Sequence, residues 1–193
     1  MKYIHLIRHG MTEANVKNMY YGHSDLPLID AGVSGIKAST EEGIYPVFDD
    51  AVYYTSGLLR TEQTLALIYG ERPHIKLGGL KEINFGKYEL MIHDDLKEDP
   101  EYIIWVEDNS GNLAPPGGES LADFKERVMS CFEIILDADK EHSVVVCHGG
   151  VICVIMSACF DETGENMFRW IPDPGHGYSV TIEGGHAAGY RRF

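Results

Sequence analysis

Two histidines that each follow a short apolar run are the residues best suited to carry chemistry. Arg8 and His9 follow the run 3–7, and His148 follows the run 144–147. A neutral imidazole is a competent nucleophile toward phosphorus, and its ordinary pKa of about 6.5 leaves it mostly unprotonated at neutral pH. An arginine beside it suits a doubly charged oxyanion, because a guanidinium fork matches phosphate geometry. These residues predict an enzyme that transfers phosphoryl groups through a histidine.

The elements around these histidines alternate between strand-like and helix-like patterns. Such alternation predicts an α/β fold, with a mostly parallel central sheet and helices on both faces. Ligands of such sheets bind at the carboxyl ends of strands, so we expect the two histidines to lie close together. Strands are predicted at 3–7, 51–55, 75–77 and 143–147, and helices at 31–43, 58–69, 121–138 and 151–159.

Two further segments depart from this alternation. The stretches 178–183 and 187–192 flank two consecutive glycines, which predicts a C-terminal β-hairpin. We interpret the polar stretch 84–118 as a lid-like insertion within a single domain that spans 1–193. Four ring-bearing side chains of this stretch could stack on a substrate or belong to ordinary packing, namely Tyr88, His93, Tyr102 and Trp105.

Three polar side chains extend the candidate site beyond the histidines. Thr12 and Asn15 closely follow the first motif and can direct a hydroxyl and an amide toward the same point. Arg60 lies near the start of the helix predicted at 58–69, for which Ser56 is the expected N-cap. A cation at a helix N-terminus opposes the helix dipole, so it needs a partner. Either a bound phosphate or a surface carboxylate could be the partner of Arg60.

A carboxyl group is needed to protonate the leaving oxygen. Glu82 and Glu89 compete for this role, and the residue pattern alone does not choose between them. Burial beside a strand end would raise the pKa of such a carboxyl and let it donate a proton. We expect His148 to complete a positive ring around the phosphoryl group. Gly149 opens the next helix, whose first amides favour an anion.

The composition bounds the class of protein. A chain of 193 residues suits one domain with a substantial core. Its formal net charge of −14 argues against a general nucleic-acid binder or a binder of anionic membranes, because both need a basic face. Its four cysteines have apolar neighbours and form no Cys-x-x-Cys pair, which indicates buried free thiols. The start of the chain has no signal-peptide pattern, so we expect a cytoplasmic protein.

Six segments taken together resemble the histidine phosphatase superfamily, the branched family of phosphoglycerate mutases and related acid phosphatases. The resemblance covers nearly the whole chain, and several matches in one order are far more specific than one short motif. Two positions depart from the family pattern, because Met11 replaces a common acidic or amide residue and Leu90 replaces a usual glycine. The matching segments are 6–15, 21–28, 56–64, 82–86, 116–120 and 147–150.

The resemblance implies roles for individual residues. His9 would be the phosphorylated nucleophile, and Glu82 rather than Glu89 would be the proton donor. The mechanism would use no metal ion and no other cofactor. The phosphoryl group would be bound by Arg8, Arg60 and His148, and the remaining substrate-binding residues would be Asn15, Thr12, Gly149 and Gly22.

Three functions are compatible with these residues. The first is hydrolysis of a small-molecule phosphomonoester, and the second is a mutase that returns the phosphoryl group to another hydroxyl of the same sugar acid. The family's mutases are longer than this chain, which favours the hydrolase. The third is a catalytically silent module that binds phosphate or a protein. The segment 21–28 resembles the α-ribazole phosphatase branch of cobalamin assembly, although general sugar-phosphate phosphatases share it. The oligomeric state is left open.

Overall fold

A six-stranded sheet forms the centre of the protein. The structure is a computed structural model that describes residues 1–161 and 166–193. The strand order is β3-β2-β4-β1-β5-β6, in which β1 to β4 are parallel and β5 and β6 are antiparallel additions. This confirms the predicted α/β fold with its C-terminal strand pair. The strands are β1 (Lys2–Arg8), β2 (Ala51–Thr55), β3 (Ile75–Lys76), β4 (His142–Cys147), β5 (Gly177–Glu183) and β6 (His186–Arg192).

Helices connect the strands, and every helix and strand predicted from the sequence lies within two residues of its observed bounds. Among the residues that the structure describes, no helix has the length and apolar character needed to cross a membrane. Short 3₁₀ helices lie at Gly78–Leu80, Gly86–Tyr88 and Met167–Trp170. The α-helices are α1 (Glu13–Val16), α2 (Asp30–Glu41), α3 (Leu59–Tyr69), α4 (His93–Leu96), α5 (Pro100–Val106), α6 (Leu121–Leu136) and α7 (Gly149–Phe160).

Strands β1 and β4 are covered on both faces, which explains their continuous apolar runs. Leu6 packs into the core that includes residues of α6 and α7. Its neighbour Ile7 packs into the core that includes residues of α2 and α3. Val145 and Val146 of β4 divide between the two cores in the same way. The double cover leaves the carboxyl ends of these strands as the place where polar loops meet.

A distant loop caps the N-terminus of α3, and the predicted capping by Ser56 is wrong. The helix begins at Leu59, whose backbone N–H donates to Asp25 Oδ1 at 2.7 Å. A carboxylate at this end interacts favourably with the helix dipole, so it opposes the unfavourable effect of the cation at Arg60. The Ser56 hydroxyl accepts from the N–H of Leu58, the residue before the helix, at 3.3 Å and lies 2.8 Å from His148 Nε2.

The stretch 84–118 lies outside the sheet and carries its own aromatic cluster. Tyr88 and Tyr102 are fully buried in this cluster, so they are packing residues rather than stacking platforms for a ligand. The Tyr102 hydroxyl lies 2.6 Å from His93 Nδ1 and 2.6 Å from the Tyr20 hydroxyl. These contacts join α4 and α5 to the loop after α1. The action of this stretch as a lid stays a prediction.

Candidate active site

The carboxyl ends of β1 and β4 bring the two motif histidines together. The strands are parallel neighbours, and Arg8 lies opposite Cys147. His9 and His148 therefore follow equivalent positions, and their ring centroids are 5.2 Å apart in an edge-to-face arrangement. Only 2% of His9 and none of His148 is exposed. The structure thus forms one buried site from segments that are far apart in the sequence.

His9 is held in the tautomer that a nucleophile requires. Its Nδ1 lies 2.7 Å from the Gly10 carbonyl oxygen. A carbonyl only accepts, so Nδ1 carries the proton and Nε2 carries the lone pair. Burial and the nearby Arg60 guanidinium hold the pKa of His9 well below its ordinary value of 6.5. The Gly10 peptide is fixed in turn, because its N–H donates to Thr64 Oγ1 at 2.9 Å.

A tyrosine that the sequence analysis did not single out contacts the same nitrogen. The hydroxyl of Tyr21 lies 3.2 Å from His9 Nε2 and donates to it, since Nε2 is unprotonated. The Arg60 guanidinium carbon lies 4.8 Å from the centre of the Tyr21 ring. The motif 21–28 drew attention to this segment, but no sequence pattern indicates where the Tyr21 side chain points.

Arg60 is a fully buried cation whose described hydrogen-bond partners are neutral. Its two Nη atoms donate to the carbonyls of Ser24 at 2.8 Å and Gly22 at 2.7 Å. Its Nε donates to His148 Nδ1 at 3.3 Å. Burial lowers the pKa of Arg60, yet an arginine remains charged at neutral pH. The nearby carboxyls of Glu82, Asp25 and Glu89 act on this charge from a distance, and none of them forms a direct hydrogen bond with the guanidinium in the described part of the chain, which makes the pocket favourable for an anion.

His148 is neutral in this arrangement, and its part in a positive ring around a phosphoryl group stays a prediction. Its Nδ1 accepts from Arg60, so Nε2 carries the proton and donates to the Ser56 hydroxyl at 2.8 Å. Burial and the Arg60 charge hold the pKa of His148 well below 6.5. The positive charge around the pocket therefore comes from Arg8 and Arg60. An anion among these groups would raise the pKa of His148 again.

Arg8 supplies the second guanidinium. Its Nη1 donates to the Pro172 carbonyl at 2.8 Å, whereas its buried Nε has no hydrogen-bond partner among the described residues. A Cβ placed on Gly149 would lie 3.4 Å from this Nε, so the start of α7 and Arg8 are in contact. The Nε–H of Arg8 and the amide of Gly149, the first residue of α7, are donors suited to phosphoryl oxygens, whereas the next amide, that of Gly150, donates to Glu82.

Asn15, Thr12 and Gly22, which the sequence predicted to bind substrate, make different contacts in the structure. The Asn15 Oδ1 accepts from the backbone N–H of Thr12 at 2.9 Å and from its hydroxyl at 3.0 Å. The side-chain NH₂ of Asn15 is therefore the group that it can offer to the cavity it lines with Arg8. Thr12 is fully buried and supports Asn15. The Gly22 amide already donates to Glu89 at 2.8 Å, so Gly22 holds Arg60 through its carbonyl and offers no donor to substrate.

Glu82 and Glu89, which competed as proton donors, have opposite environments. Burial raises the pKa of Glu82, although its carboxyl accepts from the Gly150 amide at 2.8 Å and the Ile83 amide at 3.0 Å. Burial tends to raise the pKa of Glu89 as well, but the hydrogen bonds that Glu89 accepts outweigh this effect, so its pKa is lowered. Glu89 accepts from the backbone amides of Gly22, His23, Ser24 and Phe85 at 2.8 to 3.1 Å.

These environments suit two different tasks. A carboxyl with a raised pKa can hold the proton that a leaving oxygen requires, which fits Glu82. Glu89 is held ionised and fixes the loop 22–24, whose carbonyls bind Arg60. Its role in this structure is therefore to position the arginine.

An apolar cavity of about 450 Å³ adjoins Glu82. Of the described residues that line it, only Glu82 and Asp108 carry charge-bearing carboxyls, and none is basic. Part of its rim is open to solvent, since Phe168 is 55% exposed and Leu113 is 41% exposed. Other apolar lining residues are Met19, Tyr20, Ile83, Phe85, Trp105, Val106, Leu121, Phe124, Met167 and Ile171.

Comparisons with known proteins define the class to which this fold and site belong. Residues 4–191 match the model of the histidine phosphatase superfamily (branch 1). The chain is 32% identical over 188 residues to the adenosylcobalamin/alpha-ribazole phosphatase of Salmonella typhimurium, which covers 94% of this chain and 91% of that protein. It is 33% identical over 177 residues to a 2,3-bisphosphoglycerate-dependent phosphoglycerate mutase of Beijerinckia indica subsp. indica, which covers 84% and 83%.

A solved structure leads to the same class. The crystal structure of the alpha-ribazole phosphatase from Shigella flexneri superposes with a TM-score of 0.83 at 28% identity, over 96% of this chain and 93% of that chain. The chain belongs to the histidine phosphatase superfamily, as the resemblance of its motifs predicted. It is accordingly an enzyme of the histidine phosphatase class.

Proposed function

We propose that this histidine phosphatase hydrolyses a small phosphomonoester through a phosphohistidine at His9, without a metal ion. His9 Nε2 forms a bond to phosphorus while the bond from phosphorus to the leaving oxygen breaks. Arg8, Arg60 and the Asn15 amide hold the phosphoryl oxygens, and Glu82 gives its proton to the leaving oxygen. Water then attacks phosphorus, Glu82 takes up a proton from that water, and orthophosphate leaves as His9 is released.

The protonation states of the two central groups support this reaction. Attack needs an unprotonated His9, and departure of the alkoxide needs a protonated Glu82. Burial lowers the pKa of His9 and raises the pKa of Glu82. Compared with the same groups exposed to water, both shifts widen the pH range in which unprotonated His9 and protonated Glu82 coexist.

The apolar cavity beside Glu82 is the observation that carries the substrate class. The leaving group must lie next to the residue that protonates it, and this side of the pocket offers aromatic and aliphatic walls. An uncharged, ring-bearing alcohol fits such walls, and α-ribazole 5′-phosphate is an ester of that kind. The names of the Salmonella and Shigella relatives agree with this choice.

A mutase is the second candidate, because a phosphoglycerate mutase is among the similar proteins. A phosphoglycerate carries a carboxylate that would enter the leaving-group side of the pocket. The described lining residues there include no cation to pair with it, while the Asp108 carboxylate would repel it. The lining of the leaving-group side therefore favours the hydrolase. A catalytically silent binding module would give no turnover at all.

The proposal is tested by orthophosphate release in the presence of EDTA. We expect turnover of α-ribazole 5′-phosphate and p-nitrophenyl phosphate, and much slower release from 3-phosphoglycerate, without an added bisphosphate. Isomerisation of 3-phosphoglycerate in place of phosphate release would support the mutase. Loss of activity with EDTA would contradict the metal-independent mechanism, and inactivity toward every ester would support the silent module.

A further inference from the structure

We propose that a cavity over strands β1, β5 and β6 binds a small anion that carries an aromatic ring, of the class of nucleoside monophosphates. This sheet-face cavity has a volume of about 510 Å³, within the usual range for small-molecule sites. Tyr3 and His142, at the amino ends of β1 and β4, border it, whereas the active site lies at the carboxyl ends of these strands. The inference is therefore independent of the proposed function.

Strand register brings one cation and one glycine to the floor of the sheet-face cavity. Arg191 of β6 lies opposite Ser179 of β5, and Gly189 lies opposite Thr181. Residues that are opposite each other on antiparallel strands share a face of the sheet, as do residues two positions apart. A Cβ placed on Gly189 would meet no heavy atom within 4 Å beyond its chain neighbours. The missing side chain therefore leaves open space beside Arg191.

Arg191 supplies the charge that an anion would meet. In the part of the chain that the structure describes, its guanidinium forms no hydrogen bond or ion pair, whereas Arg192 pairs with Asp173. Its charge contributes to the lowered pKa of His5, so the guanidinium lies near the floor. No aspartate or glutamate is among the described residues that line the cavity. In a chain of net charge −14 this is a locally positive region, and a guanidinium fork matches phosphate geometry.

Stacked rings form a wall of the same cavity. The partly exposed Phe48 stacks on His142, with ring centroids 3.9 Å apart, and on His5, with centroids 4.7 Å apart. The nitrogens of His5 lie 3.3 Å from His142 Nδ1 and 2.8 Å from the Ser179 hydroxyl, so the His5 ring is held in place. A fixed aromatic wall offers stacking to a planar ring without a cost for ordering the wall.

The wall and the cation together define the class of ligand. Inorganic phosphate would use only Arg191, and an uncharged ring would use only the wall. A nucleoside monophosphate carries a planar ring and a phosphate at the two ends of one small molecule. Its sugar hydroxyls can pair with the Thr181 hydroxyl, which also lines the cavity. A longer nucleic acid would be repelled by the net charge of −14.

Binding of AMP and of adenosine tests the inference, in a His9→Ala background so that AMP is not hydrolysed. In titration calorimetry, Arg191→Gln should raise the dissociation constant of AMP roughly tenfold, because the phosphate loses its guanidinium partner. The dissociation constant of adenosine should not change. Arg192→Gln is the matched control, since it removes the same charge from the next position of β6, on the other face of the sheet. It should bind AMP as the background does.

A second variant fills the sheet-face cavity. The side chain of Gly189→Leu would enter the open space above the floor, so it should weaken the binding of AMP and of adenosine alike, each by at least tenfold. Circular dichroism shows whether this variant folds. Should it not fold, the comparison of Arg191→Gln with Arg192→Gln decides the question.

The contrary outcomes are specific. Equal AMP affinity in Arg191→Gln and in the background would overturn the inference, because the nucleotide would then bind elsewhere on the protein. Equal weakening by Arg191→Gln and Arg192→Gln would also overturn it, since the total charge would then be the cause. Absence of AMP binding to the background would overturn it as well. None of these results would affect the detection of a phosphohistidine, so the proposed function is judged separately.

Discussion

The pocket has two sides that meet at Tyr21, and they differ in polarity and in what holds them in place. On the phosphoryl side, His9 and Arg60 are buried and bound by specific hydrogen bonds to backbone carbonyls. On the leaving-group side, residues such as Trp105 and Phe168 form apolar walls with a rim partly open to solvent. Directional bonds define the first side, and shape and polarity define the second.

This difference separates the reaction from the choice of substrate. The phosphoryl side determines which bond is made and broken, because each donor is aimed at a defined point. The leaving-group side determines which ester enters, and an apolar wall discriminates by only a small free energy per group. Changes on the phosphoryl side should therefore affect every substrate, whereas changes on the leaving-group side should alter the ranking of substrates.

The largest effect is expected for Arg60→Lys. Lysine keeps the positive charge but not the planar fork that binds Gly22, Ser24 and His148 at once. We expect kcat/KM to fall roughly 100- to 1,000-fold for all phosphomonoesters alike. Arg72→Lys is the control, because Arg72 also stacks on tyrosines, with its guanidinium carbon 4.5 Å from the Tyr53 ring centre. A loss confined to one substrate would contradict the distinction between the two sides.

Glu82→Gln should have an effect that depends on the leaving group. For an alkyl phosphate, whose leaving oxygen needs a proton, we expect kcat/KM to fall roughly 100-fold or more. For p-nitrophenyl phosphate, whose leaving group departs as an anion, the loss should be far smaller. Steady-state kinetics with both esters measures the contrast.

Glu89→Gln is the matched comparison for this experiment. Because Glu89 holds the loop 22–24 through three backbone amides and ties it to Phe85 through a fourth, its substitution should lower the rate equally for both esters. If Glu89→Gln gave the dependence on leaving group and Glu82→Gln did not, the two assignments would have to be exchanged.

Leu113→Lys should change the selectivity by a smaller factor. Leu113 lies at the rim of the apolar cavity and is 41% exposed, so the new ammonium can pair with a substrate carboxylate in partial contact with water. We expect the kcat/KM ratio of 3-phosphoglycerate to α-ribazole 5′-phosphate to rise about fivefold. Ile75→Lys places the same charge on exposed β3 and should leave the ratio unchanged. Equal effects of both variants would mean that charge elsewhere on the protein, rather than the cavity, sets the selectivity.

The smallest expected effect concerns stability at a site remote from the reaction. Burial, with the charges of His142 and Arg191, lowers the pKa of His5 to about 4 from 6.5. As the pH falls from 6.5 toward 4, the unfolded chain binds a proton that folded His5 does not, so the free energy of unfolding decreases. In urea unfolding experiments, the free energy of unfolding of His5→Gln should decrease less over this pH range than that of wild type, by on the order of 2 kcal/mol. His186 is exposed, so His186→Gln should show the same pH dependence as wild type. If the free energy of unfolding changed with pH in the same way in all three proteins, this account would be contradicted.

The sequence predicted the phosphoryl side better than the leaving-group side, for physical reasons. His9 and His148 could be placed because each follows a buried strand, and parallel strands bring their carboxyl ends to one edge. The contact of Tyr21 with His9 could not be predicted, since it depends on how the loop 22–24 is held by Glu89. The prediction of Ser56 as the N-cap of α3 was wrong because Asp25, 34 positions away along the chain from Leu59, caps this helix.

The apolar cavity illustrates the same limit. Its walls come from the regions 19–21, 82–85, 105–124 and 167–171, which no local periodicity connects. Apolar residues in such loops have the same pattern whether they pack on each other or face a ligand. Tyr88 and Tyr102 pack within the aromatic cluster, whereas Trp105 also lines the cavity, and only the tertiary structure distinguishes these cases.

The most direct test of the central claim is peptide mapping of the enzyme quenched during turnover of a phosphomonoester, under conditions that preserve acid-labile phosphate. We predict that phosphate is bound to the peptide containing His9 and is absent from His9→Ala. Phosphate on a different residue, or unchanged phosphoenzyme in His9→Ala, would contradict the assignment of this histidine as the nucleophile.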